Sequence, residues 1–227
     1  MQTYPVARPE PDLSVGHLFS RGWETFKANF WLSLGIAVLY LVLTSLGSGG
    51  AGHGGFSGFL NLVGFVIAGP LTAGVYNVYL RMARGESVEF ASMFDGFKQM
   101  GKSVGVYWLM LLATIVGFVL LVVPGIVLGL GLLPAMFLVL DGNLGVMDTL
   151  KRSWEMTNGY KWQLFLVALA VVGINILGLV ALVIGVFITM TVTMLIFAAA
   201  YDELAGAKAV PVARPAYPPP SGFGPRA

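Results

Sequence analysis

Residues 162–201, WQLFLVALAVVGINILGLVALVIGVFITMTVTMLIFAAAY, contain no Asp, Glu, Lys or Arg in 40 positions. A charge at the centre of a bilayer costs about 2.5–3.5 kcal/mol even on the lenient insertion scale, so a run of this kind belongs in lipid. A hydrocarbon core about 30 Å thick takes roughly 20 helical residues. The stretch is therefore too long for one span and the right length for two joined by a turn.

The rest of the chain repeats this arrangement. All 24 charged residues fall into four clusters, at 8–27, 81–102, 141–161 and 202–226, and the other charge-free intervals are 28–80 and 103–140, of 53 and 38 residues. Each interval holds two spans. The chain thus reads as an all-α, polytopic membrane protein with six transmembrane helices arranged as three hairpins, each preceded by a cytoplasmic amphipathic helix. The distribution of Lys and Arg tests the count independently, because hairpins return every cluster to one side whereas single spans alternate them. The clusters hold 3, 4, 3 and 3 basic residues, so hairpins give a split of 13 to 0 and single spans 6 to 7. The positive-inside rule then puts both termini in the cytoplasm.

Composition agrees with one integral domain. Hydrophobic residues make up 57% and charged residues 11%, against about 25% charge in soluble domains. There is no cysteine, hence no disulfide frame and no thiolate chemistry. The first apolar run begins near Phe30 behind a polar, Pro-containing segment, which does not resemble a cleaved leader. Residues 1–12 read as a disordered Pro-rich tail, 13–205 as the six-helix membrane domain and 206–227 as a second disordered Pro-rich tail. A net charge of +2 gives no ground for a nucleic-acid partner.

Along the chain, Ser14 is placed to cap a helix with Val15, Leu18, Phe19, Trp23, Phe26 and Phe30 at helical spacing. This predicts an amphipathic helix on the cytoplasmic leaflet. The first span runs from about Trp31 to Leu46 and the second from Phe59 to Leu80, with Gly64, Ala68 and Thr72 forming a small-residue face. Val88, Phe90, Met93, Phe94 and Phe97 predict a second surface helix before the third span, Val104 to Val123. Pro124 and Gly125 mark the break before a fourth span of only 16 residues, Gly125 to Leu140. That span either thins the bilayer or fails to cross it fully. Leu144, Met147, Leu150 and Trp154 predict a third surface helix, and the last hairpin turns between Gly178 and Gly185.

Two internal repetitions stand out. Trp23 and Glu24, with Trp31 eight positions on, match Trp154 and Glu155 with Trp162 eight positions on, and Phe97 with Trp108 forms a looser third copy. Either the fold repeats one unit three times, or headgroup-level helices simply attract tryptophan. The sequence PVARP occurs at Pro5–Pro9 and again at Pro211–Pro215, giving cytoplasmic tails that are candidate docking segments for a protein partner or mere low-complexity drift. Trp23, Trp31, Phe97, Trp154 and Trp162 are the candidate interfacial, lipid-contacting residues. Pro70, Pro124 and Pro134 are the candidate helix breaks. Gly125 and Gly129 form a GxxxG pair for packing within the chain or between copies in a homo-oligomer.

Chemistry finds little purchase. His17 and His53 fall on opposite sides of the predicted membrane, and the chain has no metal-ligand spacing, GxSxG elbow or phosphate-cradling loop. No catalytic, metal or cofactor-binding residue is indicated, and acid pairs such as Asp202 with Glu203 or Glu86 with Glu89 read as solvating helix ends. Transport is the alternative. Pro70 and Pro134 each interrupt the second arm of a hairpin, as at many substrate sites, and Asn61, Asn77, Asn175, Thr189, Thr191 and Thr193 offer polar contacts. Against it, no ionisable residue lies within a predicted span to couple ions.

VPGI at Val123–Ile126, Asp141, GVMDTLKRSWEMTNGYKW from Gly145 to Trp162, RGESVEF from Arg84 to Phe90, and Tyr201 with Leu204 carry a family likeness. Over residues 13–205 the chain resembles bacterial integral membrane proteins related to the membrane domain attached to some glycerophosphoryl diester phosphodiesterases. The resemblance implies six helices in a bacterial inner membrane and no catalytic residues to carry over, since the soluble phosphodiesterase domain has no counterpart here. The resulting expectation is a non-enzymatic membrane protein that binds lipid or a protein partner at the cytoplasmic face. A transporter or permease for a small neutral or amphipathic solute is the alternative.

Overall fold

The computed structural model describes residues 10–47, 55–180 and 182–208. Both PVARP copies and His53 lie outside the described residues. The rest is helical: α1 (Val15–Ala28), α2 (Phe30–Gly47), α3 (Gly55–Ala83), a 3₁₀ segment (Phe90–Gln99), α4 (Met100–Leu120), α5 (Val122–Leu132), α6 (Ala135–Asp141), α7 (Val146–Thr157), α8 (Lys161–Val180) and α9 (Leu182–Lys208). Five helical stretches are long and apolar enough to cross a membrane, and α2 makes a sixth if counted with α1, from which it is bent by 93°. The bend sits at Asn29, whose N–H still reaches the Thr25 and Phe26 carbonyls while its own carbonyl accepts from Ser33.

The breaks do not all fall where proline suggested. Leu121, extended at φ −170°, separates α4 from α5, so Pro124 is the third residue of α5 rather than the break itself. The first four N–H groups of a helix have no partner within it, so a proline there costs nothing. The fourth stretch consequently gains three residues at its start and one at its end. From Val122 to Asp141 it is 20 residues, about 30 Å of helix, interrupted at Leu133–Pro134. Pro70 breaks nothing, since α3 continues through it. In the last pair α8 ends at Val180 and α9 begins at Leu182.

Arms differ in depth. The stretches Val63–Ala83, Val123–Asp141 and Gly185–Ala207 are 56%, 56% and 50% buried, against 17% for Phe90–Val119 and 22% for Lys161–Leu179. Thus α3, α5–α6 and α9 form the centre, and α4 and α8 lie outside with Leu112, Ile115, Leu169 and Ile176 exposed. The inner arms are those with small residues on a contact face, such as Ala73 and Gly74 in α3 and Ala198 to Ala200 in α9. Apolar surroundings supply no hydrophobic drive between helices, so close backbone approach decides which arms meet. At the centre one aromatic from each inner arm touches the next: Tyr76 to Phe137 at 4.7 Å and Phe137 to Tyr201 at 5.1 Å.

The packing is cyclic. The 3₁₀ segment packs on α3, α7 packs on α4, α5 and α6, and α1 packs on α9. Each short element therefore leans on helices of the preceding pair, and the first closes the ring on the last. The tightest of these contacts replaces the expected second surface helix. A Cβ on Gly74 would collide with the Met93 carbonyl, and one on Gly96 would collide with the Pro70 carbonyl and stand 2.9 Å from the Gly74 nitrogen. This backbone-to-backbone contact holds the segment against α3 in 3₁₀ form. Gly125 packs within the chain, where its Cβ would meet the Phe118 ring at 2.5 Å, and Gly129 faces Thr114 at 3.8 Å.

Candidate functional site

The ends of the inner arms carry the charges that terminate the apolar intervals, and these charges bind one another. Arg84, just past α3, grips Asp141 at the end of α6 through two hydrogen bonds of 2.6 and 3.0 Å. Its Nε donates to Asp202 of α9 at 2.9 Å. Arg21 of α1 donates to Asp202 at 3.1 Å, to Glu203 at 2.6 Å and to the Ala83 carbonyl at 3.3 Å. The Tyr201 hydroxyl donates a hydrogen bond to Asp141 at 2.7 Å. His17 Nε2 lies 3.3 Å from Glu203, and its Nδ1 lies 3.8 Å from Asp12. All four charge clusters thus contribute to one lattice.

Burial makes this lattice consequential. The Asp141 side chain is 6% exposed and that of Arg84 19%. Burial works against the guanidinium's charge, yet its hydrogen bonds to the Asp141 and Asp202 carboxylates outweigh it and hold Arg84 above its ordinary value. At the rim, Ser14 does not cap α1 with its hydroxyl. Its backbone N–H instead donates to Asp12 at 3.0 Å, and hydrogen bonds from Ser14 hold the Asp12 carboxyl below its usual range. The arrangement clamps helix ends and leaves neither Asp141 oxygen unengaged. Among the described residues no group of three or more His, Asp or Glu could hold a metal.

Sequence reasoning missed this lattice, treating Asp202 and Glu203 as solvated. A signal was present. Arg81, Asp141 and Asp202 are the first charges after the three apolar intervals, so opposite signs stand at the ends of helices that must meet.

A second feature is the aromatic surface of the short elements. Phe19, Trp23, Phe90, Phe94, Met147 and Trp154 are exposed, while Gly22, Met93 and Ser153, each one residue before Trp23, Phe94 and Trp154, are buried. Glu24, Asp95 and Glu155 follow in each case, and Glu24–Lys27 and Asp95–Lys98 form the same i,i+3 pair at 2.8 and 2.6 Å. The third copy is therefore in register at Phe94, three residues before the expected Phe97. Phe97 is half-buried and lies 6.3 Å from Phe94. Eight positions beyond the aromatic stand Trp31, Lys102 and Trp162. Trp31 is 80% exposed and Trp162 68%. Trp108, the expected partner of Phe97, instead stacks on Phe65 at 3.6 Å and donates to its carbonyl at 3.1 Å.

In α7 Met147 and Trp154 are exposed, and hydroxyl residues make up most of the buried face. Thr149, Ser153, Met156 and Thr157 are buried, and Ser153 donates to the Gly131 carbonyl at 2.9 Å. Hydroxyls at spacing four were the overlooked sign of the inward face. On the outward face Lys161 holds its ammonium 3.2 Å from the centroid of the Trp154 ring. Of the polar residues considered for transport, Asn175 donates to the Thr193 hydroxyl at 2.8 Å, which ties α8 to α9.

The fold and this site define the class as an all-helical protein with five or six stretches able to cross a membrane, capped at one end by ion pairs. No family model matches the chain, and neither a curated protein nor a solved structure matches it.

Proposed function

We propose that this is a non-enzymatic bacterial inner-membrane protein. It would cross the bilayer six times as three hairpins with both termini in the cytoplasm, and bind lipid at the cytoplasmic face through its three short elements. The observation that carries the reading is the outward direction of Trp23, Phe94 and Trp154, each beside a charged residue and each on an element whose other face is committed to the bundle. Exposed aromatics next to charges suit the headgroup layer, where an amphipathic ring has one apolar and one wet neighbour. The lattice supports the shared side, since residues from every charge cluster lie within hydrogen-bond reach of one another. It also supports a structural use of the acids, whose oxygens are engaged by Arg21, Arg84 and Tyr201.

Protein reconstituted in vesicles containing brominated phosphatidylcholine tests the reading. Interfacial tryptophans are expected to be quenched, and replacing Trp23 and Trp154 with phenylalanine should remove part of that quenching. Unquenched tryptophan in a folded protein overturns it. The Pro-rich tails extend the proposal to a partner protein on the same side, which immobilised PVARP peptide would capture.

Passage of a small neutral or amphipathic solute draws on one surviving observation, the interruption at Leu133–Pro134. Its second support is weakened because α3 runs unbroken through Pro70 and the 3₁₀ segment packs there. Solute uptake that falls in Pro134→Ala vesicles would favour passage over lipid binding.

A further inference from the structure

The basic side chains divide by place. Arg21, Lys27, Arg81, Arg84, Lys98 and Arg152 each pair with a carboxylate. Among the described residues, Lys102, Lys151 and Lys161 do not. Lys102 donates to the Gly142 carbonyl at 2.6 Å, Lys161 lies over Trp154, and Lys151 is exposed on α7. All three lie on α7 or beside it, because Gly142 sits just before α7, α4 packs on α7, and Lys161 opens the helix that follows. The acid of this sector that lies outside an ion pair is Asp148, in the first turn of α7, where the helix dipole already favours it. The sector therefore keeps an excess of positive charge.

Geometry joins that charge to an apolar track. Met147, Lys151 and Trp154 stand at i, i+4 and i+7 on the exposed face of α7, and such residues share one side of a helix. Beyond Lys161, Trp162, Leu166 and Leu169 are exposed down α8, one of the two outer stretches. Ammonium groups thus sit at the head of an outward-facing apolar strip, matching an amphiphile with an anionic head.

We infer that the corner between α7 and α8 binds the phosphate of an anionic phospholipid through Lys151 and Lys161, with the acyl chain lying along Trp162, Leu166 and Leu169. This rests on the lipid-facing reading above and narrows it to one headgroup class. The aromatic ring under Lys161 holds the ammonium at the headgroup level without neutralising it, unlike a carboxylate. Lys27 and Lys98, four residues after the exposed aromatics of the other two short elements, are neutralised by Glu24 and Asp95 and serve as controls.

The test uses the full chain in nanodiscs of phosphatidylcholine with a minor fraction of phosphatidylglycerol, with retained lipid read by native mass spectrometry. Wild type should retain phosphatidylglycerol above its bulk fraction. Lys151→Gln with Lys161→Gln should lower that preference by roughly 10- to 30-fold, from the contribution of a lysine near an anionic surface. Lys27→Gln with Lys98→Gln should leave it unchanged. Lys151→Gln alone, at an exposed position, gives a partial loss and guards against misfolding of the double variant. Equal retention of both lipids by wild type, an undiminished preference in the double variant, or a lipid-free dimer formed through this face overturns the site. Quenching by brominated phosphatidylcholine does not depend on these lysines. Its loss would sink the broader reading, whereas loss of headgroup preference with quenching intact sinks the site alone.

Discussion

Asp141 shows how much depends on whether a charge is wet. With both oxygens engaged and little exposure, it cannot be left without a cation cheaply. Removing one partner of a buried pair typically costs about 3–5 kcal/mol, whereas replacing both with apolar groups is often neutral. Arg84→Ala should therefore destabilise by about 3 kcal/mol, and Arg84→Met with Asp141→Leu should recover much of the loss in denaturant titrations in detergent. Lys27→Ala removes a pair whose side chains are 51% and 70% exposed, and under about 0.5 kcal/mol is expected. The sign of the Arg84 shift sets the pH window. A basic group raised above its ordinary value contributes fully below that value and loses its contribution only above it. The stability gap between wild type and Arg84→Ala should thus be the same at pH 7 and pH 10.

At the scale of elements, contacts between backbones decide the packing. The 3₁₀ segment meets α3 where Gly74 and Gly96 have no side chain, and overpacking such a contact costs about 1–3 kcal/mol or more. Gly96→Ala should lower thermal stability measurably, because the obstacle is the Pro70 carbonyl and backbone cannot swing aside. Gly173, inside α8 with nothing within 4 Å of an added Cβ, is the contrast. Gly173→Ala should be neutral or stabilise by up to about 1 kcal/mol through helix propensity. Ser153→Ala removes the bond to the Gly131 carbonyl and should cost about 1 kcal/mol.

Periodicity located these short elements but misjudged two of them. In α7 the apolar spacing gives the exposed Met147 and Trp154 but not the face toward the bundle, where the hydroxyls at 149, 153 and 157 are buried beside Met156. The 3₁₀ segment was read as a free surface helix because its aromatics recur at helical spacing. Its course follows the contact of Gly74 in α3 with Met93 and of its own Gly96 with Pro70, partners more than fifteen residues earlier in the chain.

For the whole molecule, the test is sidedness. The chain has no cysteine, so Lys98→Cys and Arg152→Cys each introduce a single reporter. Neither should react with a membrane-impermeant maleimide in intact cells, and both should react once the membrane is opened. Labelling from outside would refute the three-hairpin topology and the cytoplasmic face on which both functional proposals stand.

The amino-acid sequence alone determined which parts of the chain are suited to lipid, and hence five or six long apolar helices. That follows because the cost of an ionised group in hydrocarbon is large and attaches to each residue wherever its neighbours lie. Tertiary structure decided the rest: which arms are central, that the fourth stretch begins at Val122, that Pro70 is accommodated, and that Arg84 holds Asp141 and Asp202. An arm that is apolar all round carries no gradient pointing to its partner. Only the fit of glycine against backbone, and of each cation against the acids at neighbouring helix ends, selects one arrangement.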